Sequence, residues 1–191
     1  MDLLKQKIID EGQVLEGDIL KIDSFLNHQI DPEMSYAMGR EFVNIFSDVK
    51  VDKVLTIEAS GIAIGLVTAY EFGVKMVFAR KTKSLLLNDD SYTADAYSYT
   101  KQVTNHITVL KKFLTAGENI LIVDDFLANG SAALALCSIA EQAGCKVVGI
   151  GIAVEKAFQD GEEKLKAAGY RVEPLARIKS LKGGKVTFVE D

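Results

Sequence analysis

The chain has 191 residues, 48% of them hydrophobic, and a formal net charge of −5 at pH 7. That size suits one domain spanning 1–191 with an ample core. The acidic balance argues against broad nucleic-acid or membrane-surface binding, so an anionic ligand would need a local basic patch. Cys137 and Cys145 lack metal-ligand spacing and read as small buried thiols in a reducing cytosol. His28 and His106 are too few for a His-rich metal site, and no apolar run is long enough to span a bilayer.

In chain order, Leu3 to Glu11 places Leu4 and Ile8 at helical spacing before Gly12, which predicts a short helix. The segment is amphipathic and contains acids, unlike a secretory signal, so a cytoplasmic protein is expected. Asp31-Pro32-Glu33 has the form of a helix start: an acid cap, then proline in the first turn, then a second acid. Met34, Met38, Phe42, Ile45 and Phe46 form its apolar stripe. Asn27 and His28, just ahead of it, read from the residues alone as turn chemistry.

Lys53 to Ile57 predicts a buried strand, followed by Glu58-Ala59-Ser60-Gly61 and a helix that stops at Gly73. Small residues between a strand end and a helix start form a candidate anion nest. Val74 to Ala79 predicts the next strand, ending at the basic run Arg80-Lys81-Thr82-Lys83. Leu85 to Thr104 is polar and carries Tyr92, Tyr97 and Tyr99. The alternation at Ile107 and Val109 fits a β-ribbon there.

The most informative stretch is Ile120 to Leu134. Four apolar residues, mostly β-branched, suit a parallel strand covered on both faces. Asp124 and Asp125 sit where that strand should end. Ala128 to Ala132 carry no bulk, so backbone can approach a ligand closely. The following helix would aim unpaired N–H groups back at the turn. Carboxylates for hydroxyls beside amides for a phosphate describe a site for a ribose 5-phosphate. Beyond it, a helix ending at Gly144 leads to a buried strand over Val147 to Val154, which meets Glu155-Lys156-Ala157-Phe158. A lysine at the carboxyl end of a parallel strand lies where such sheets bind ligands. A helix near Gln159 to Ala168 and strands near Tyr170 and Val186 close the sheet, with Arg177 and Lys179 expected at the surface. The expected fold class is α/β: a parallel sheet flanked by helices.

The stretch Val123-Asp124-Asp125-Phe126-Leu127-Ala128-Asn129-Gly130-Ser131-Ala132 resembles the phosphoribosyl-pyrophosphate (PRPP) motif of the type I phosphoribosyltransferases. Its Phe126 to Gly130 form is similar to the branch of that family that acts on xanthine. The common motif ends Thr-Gly-Gly-Thr; Asn129, Gly130, Ser131 and Ala132 stand there in this chain, so two hydroxyl donors are missing. Asn129 offers an amide donor and Ser131 one hydroxyl. The resemblance extends in matching order from Leu20 to Phe158. It implies a type I phosphoribosyltransferase fold with a hood over the purine, contributed by about residues 1–30 and late C-terminal segments.

It further implies that Ala59, Ser60, Gly61 and Lys81 bind pyrophosphate, the loop bearing a non-proline cis peptide in many relatives. Relatives of this branch often have proline where this chain has Ile64. Tyr97-Ser98-Tyr99-Thr100-Lys101 resembles the mobile loop that closes over PRPP. Leu20, Asn27, Lys156 and Phe158 are the implied purine contacts, with Lys156 on the exocyclic oxygen. Asp124 and Asp125 are the implied catalytic pair, and Ala128 to Ala132 the implied PRPP phosphate turn. The expected reaction converts xanthine and PRPP to xanthosine 5′-monophosphate and pyrophosphate in purine salvage. Mg2+ would be carried by PRPP, with no metal site of the protein's own, and the expected assembly is a homodimer. The alternatives are a hypoxanthine, guanine or adenine acceptor, or a non-catalytic PRPP-sensing regulator. About thirty residues before the Asp31 helix are too few for a winged helix, which argues against the regulator.

Overall fold

The computed structural model describes residues 1–81, 90–98 and 103–190. Its elements run α1 (Asp2–Glu11), β1 (Gln13–Leu15), β2 (Ile19–Lys21), a π-helical turn (Asp23–Asn27), α2 (Pro32–Ile45), β3 (Lys53–Ile57), α3 (Gly61–Phe72) and β4 (Lys75–Ala79). They continue with β5 (Ser91–Ser98), β6 (Val103–Leu110), β7 (Asn119–Leu127), α4 (Ser131–Gln142), β8 (Lys146–Lys156), α5 (Gly161–Ala167), β9 (Val172–Ser180) and β10 (Thr187–Phe188).

The central sheet has the order β10-β9-β8-β7-β3-β4. Five strands are parallel, and β10 joins the edge antiparallel to β9. This is the parallel sheet the sequence predicts, with one antiparallel edge strand: the short connection after β9 returns the chain as a hairpin, which forces the opposite direction on β10.

Strand alternation divides the core in two. Val54, Leu121 and Val123 face one apolar cluster with Phe42 and Met38 of α2, while Leu55, Ile120 and Ile122 face the other with Leu136 and Ile139 of α4. Both faces of the sheet are thus dry, which explains why these strands read as unbroken apolar runs. Asp31 caps α2 as its sequence implies: its carboxylate accepts the Met34 N–H at 3.1 Å, with Pro32 in the first turn.

Two central strands also run longer than their sequence predicts. β7 continues through Asp124 and Asp125 to Leu127, because Asp124 pairs in register with Ile152 and Phe126 with Val154. β8 likewise extends past Val154 to Lys156. Neighbouring parallel strands keep the backbone extended where side-chain polarity alone suggested an end.

The N-terminal segments form a separate layer. β1 and β2 pair as an antiparallel hairpin, and Leu20, Ile22, Phe25 and Leu26 pack with Leu175, Ile178 and Leu181 from the C-terminal part of the chain. The Met1 ammonium donates to Leu175 O at 2.7 Å. β5 and β6 form a second two-stranded ribbon, held at its base by reciprocal hydrogen bonds between Arg80 and Thr108. Gln142 of α4 donates to Thr93 O at 2.9 Å and ties the ribbon to the body.

Candidate active site

A cleft of about 340 Å3 opens at the carboxyl ends of β3 and β7. This is the edge where an open α/β sheet offers its strand ends to ligands. Asp124, Asp125, the 128–132 turn, Ser60, Lys81 and Lys156 all line it. Tyr97 and Asn105 close one side from the ribbon.

The two acids are buried, Asp124 at 4% exposure and Asp125 at 8%. Asp124 Oδ1 accepts the Asp125 N–H at 2.9 Å. Burial, then the adjacent Asp125 carboxylate, pushes the Asp124 carboxyl well above its ordinary range, and the Lys81 charge opposes this in part. Two carboxylates held this close and this dry favour a ligand that brings hydroxyl donors or positive charge.

Close approach at Gly61 makes room for Asp124. A Cβ there would lie 2.9 Å from Asp124 Oδ1 and 2.3 Å from Thr56 Oγ1. Gly61 itself is buried beneath the cleft, not on its lining, and Ala59 is exposed outside it. Of the proposed pyrophosphate residues, Ser60 and Lys81 therefore reach the cleft directly. The Glu58–Ala59 peptide bond is cis.

At the 128–132 turn, Gly130 adopts φ +81, a left-handed conformation that suits glycine. Asn129 Oδ1 accepts the Ser131 N–H at 2.9 Å. The sequence reading left the turn's amides open for a phosphate; the Ser131 amide is instead used within the turn. The Asn129 side-chain NH2 keeps its donor capacity.

The model of the phosphoribosyl transferase domain matches residues 29–173. The chain belongs to the phosphoribosyltransferase family. A xanthine phosphoribosyltransferase of Bacillus cytotoxicus is 55% identical over 190 residues, covering 100% of this chain and 96% of that protein. One from Bacillus thuringiensis is 54% identical with the same coverage. Among solved structures, adenine phosphoribosyltransferase from Thermoanaerobacter pseudethanolicus superposes with TM-score 0.69 at 26% identity, covering 77% of this chain and 82% of that one. The enzyme of the same name from Rhodothermus marinus gives TM-score 0.76 at 20% identity over 93% of this chain and 100% of its own, a likeness of fold.

In this phosphoribosyltransferase domain one of the four expected purine residues lines the cleft. Lys156 lines the cleft and donates to Asp18 O in the β1–β2 turn at 3.1 Å. Burial lowers its pKa, and the Asp18 charge acts in the other direction. Leu20 is buried in the apolar cluster, Asn27 is exposed at the end of the π-helical turn, and Phe158 is 41% exposed; none of the three lines the cleft. On the mobile loop, Tyr97 lines the cleft and Ser98 ends β5, while Tyr99, Thr100 and Lys101 lie outside the described residues.

Sequence reasoning passed over Glu58. Its Oε1 accepts the Lys81 N–H at 2.6 Å, and its own N–H donates to Ala79 O at 3.0 Å, which cross-ties the ends of β3 and β4. The one available signal was an acid opening a small-residue loop. Arg177, expected as a plain surface residue, instead donates to the buried carboxylate of Glu155 at 2.7 Å, because β8 and β9 pair these two positions in register. Lys179 is exposed as expected.

Proposed function

We propose that this phosphoribosyltransferase transfers the 5-phosphoribosyl group of PRPP to xanthine, giving xanthosine 5′-monophosphate and pyrophosphate. One arrangement carries the reading: a single cleft holds a buried carboxylate pair, a bulk-free turn ahead of a helix, and a lysine at a strand end. The full-length xanthine phosphoribosyltransferase relatives support the choice of base.

In this reading the 128–132 turn and the Asn129 amide hold the 5-phosphate at the start of α4, where helix N–H groups converge. Asp124 and Asp125 accept hydrogen bonds from the ribose hydroxyls. As the C1–pyrophosphate bond lengthens, positive charge grows on the ring, much as in glycoside cleavage. The nearby acids then interact more strongly with the transition state than with the ground state. Ser60 and Lys81 receive the departing pyrophosphate, with Gly61 and Ala59 shaping the loop behind it. Tyr97 flanks the cleft and helps to keep water from the cationic ring. The purine nitrogen takes the place of pyrophosphate at C1, so no covalent enzyme intermediate is needed.

Mg2+ carried by PRPP would neutralise charge on the leaving pyrophosphate. The donor set fits such an ion, since Asp124 and Asp125 offer hard carboxylate oxygens to the cleft. Lys156 donates to the 6-oxo group of the base, and a 6-amino group would meet a donor instead of an acceptor. Purine salvage by a cytoplasmic homodimer completes the proposal; among the described residues no helix is long and apolar enough to cross a membrane.

The deciding assay is pyrophosphate release from PRPP and Mg2+ with xanthine, hypoxanthine, guanine and adenine in parallel. Xanthine should give the highest kcat/KM. Preference for another base would overturn the specificity, and silence with all four would overturn the reaction.

A further inference from the structure

The turn proposed to hold the sugar phosphate is braced internally by the Asn129 Oδ1–Ser131 N–H bond, which does not tie it to the rest of the fold. Ala128, Gly130 and Ala132 carry no hydrogen-bonding side chains. Its support comes from the start of α5. The Gly161 N–H donates to Ala128 O at 3.1 Å, and a Cβ on Gly161 would lie 2.3 Å from Ala128 O and 2.9 Å from Gly130 N. The two backbones are thus in direct contact, and any shift of α5 is transmitted to the turn.

Beyond the burial of Leu165 in the core, α5 is tied to the sheet by a three-residue charge cluster. Glu162, next to Gly161, accepts from Arg177 Nη2 at 2.7 Å. Arg177 Nε donates to Glu155 Oε2 at 2.7 Å. Glu155 is the register partner of both Leu127 on β7 and Arg177 on β9, and it directly precedes Lys156. The side chains are 2% exposed at Glu155, 15% at Glu162 and 37% at Arg177. The connections close a circuit: Leu127, Glu155, Arg177, Glu162, Gly161, Ala128. Charge-assisted bonds from a planar guanidinium are short and directional, so this circuit resists sliding of α5 along the sheet.

We infer that Arg177, gripped by Glu155 and Glu162, is a positioning residue that fixes the height of the 128–132 turn relative to Lys156. It therefore sets the spacing between the bound sugar phosphate and the base. This rests on the phosphoribosyl-transfer reading and adds three residues to it that never touch substrate. Small misplacements of a reactant are costly because attack at C1 needs close alignment.

The test uses Glu162→Ala, which cuts the link to α5 but leaves Arg177 paired with Glu155. Arg177→Ala is the poorer variant, since it strands a buried carboxylate and threatens folding. Steady-state kinetics should show kcat lowered about tenfold at saturating PRPP and xanthine, KM for xanthine within about twofold of wild type, and an unchanged melting temperature. Arg177→Lys should lower kcat as well, because one ammonium cannot span both carboxylates in fork geometry. An unchanged kcat in Glu162→Ala, or a fall in kcat matched by a lower melting temperature, overturns the inference. A wild-type enzyme that releases no pyrophosphate overturns the underlying reading instead.

Discussion

The Lys156 ammonium donates to the carbonyl oxygen of Asp18, 138 positions earlier in the chain, at 3.1 Å. The residue proposed to read the base is therefore oriented by the N-terminal hairpin. An ammonium has three donors, so this bond leaves capacity for a purine oxygen.

Lys156→Met should weaken 6-oxo purines selectively, by about 10- to 100-fold in kcat/KM, the cost of one lost charge-assisted hydrogen bond. A uniform loss across all bases would assign Lys156 to the hairpin alone. Burial lowers the Lys156 pKa, so its charge is lost at a pH below the ordinary lysine range. The kcat/KM for xanthine should fall on that alkaline side earlier than for an exposed lysine. Lys156→Arg stays charged and should remove this limb, and comparing the two pH profiles cancels the ionisation of the base itself.

Asp124 links activity to stability with opposite signs. Its folded carboxyl is raised above the unfolded value, so the folded state binds the proton more tightly. Stability of the ligand-free protein is then gained as pH falls through the raised value. It is lost as pH rises from the ordinary carboxylate range to that value. Asp124→Asn keeps an oxygen for the Asp125 N–H and removes the buried charge. The variant should melt no lower than wild type at neutral pH, with a flatter dependence of melting temperature on pH, while kcat falls at least about 100-fold. Thermal melts from pH 4 to 8 alongside turnover would check both halves.

Gly61→Ala should lower stability by about 1–3 kcal/mol, since the new methyl collides with Thr56 and Asp124. Adding Thr56→Ala removes the clash with Thr56 Oγ1 and leaves the one with Asp124 Oδ1. The double variant should regain much of the melting temperature but not the turnover. Recovery of both would show that Asp124 tolerates displacement.

Asn129→Ala deletes the acceptor of the Ser131 N–H and the amide offered to phosphate. KM for PRPP should rise several-fold with KM for xanthine little changed. Initial-rate measurements with each substrate varied in turn would separate the two constants.

The sequence by itself determined what rests on neighbours along the chain. The apolar run before Asp124, the bulk-free 128–132 turn, the Asp31-Pro32 cap and the Gly73 stop each express a preference settled within a few residues. So the strand–turn–helix units and most residues of the cleft could be read directly, and the family followed from their order. Only the tertiary structure decided how β7 runs on through its acids, that β10 returns antiparallel, that Arg177 clamps Glu155 and Glu162, and that Glu58 cross-ties two strand ends. It also decided that Leu20, Asn27 and Phe158 lie off the cleft lining while Lys156 lies on it. These depend on strand register and on contacts between segments far apart in sequence. A local pattern cannot encode them, because each partner's side chain is compatible with many others until the sheet has assembled.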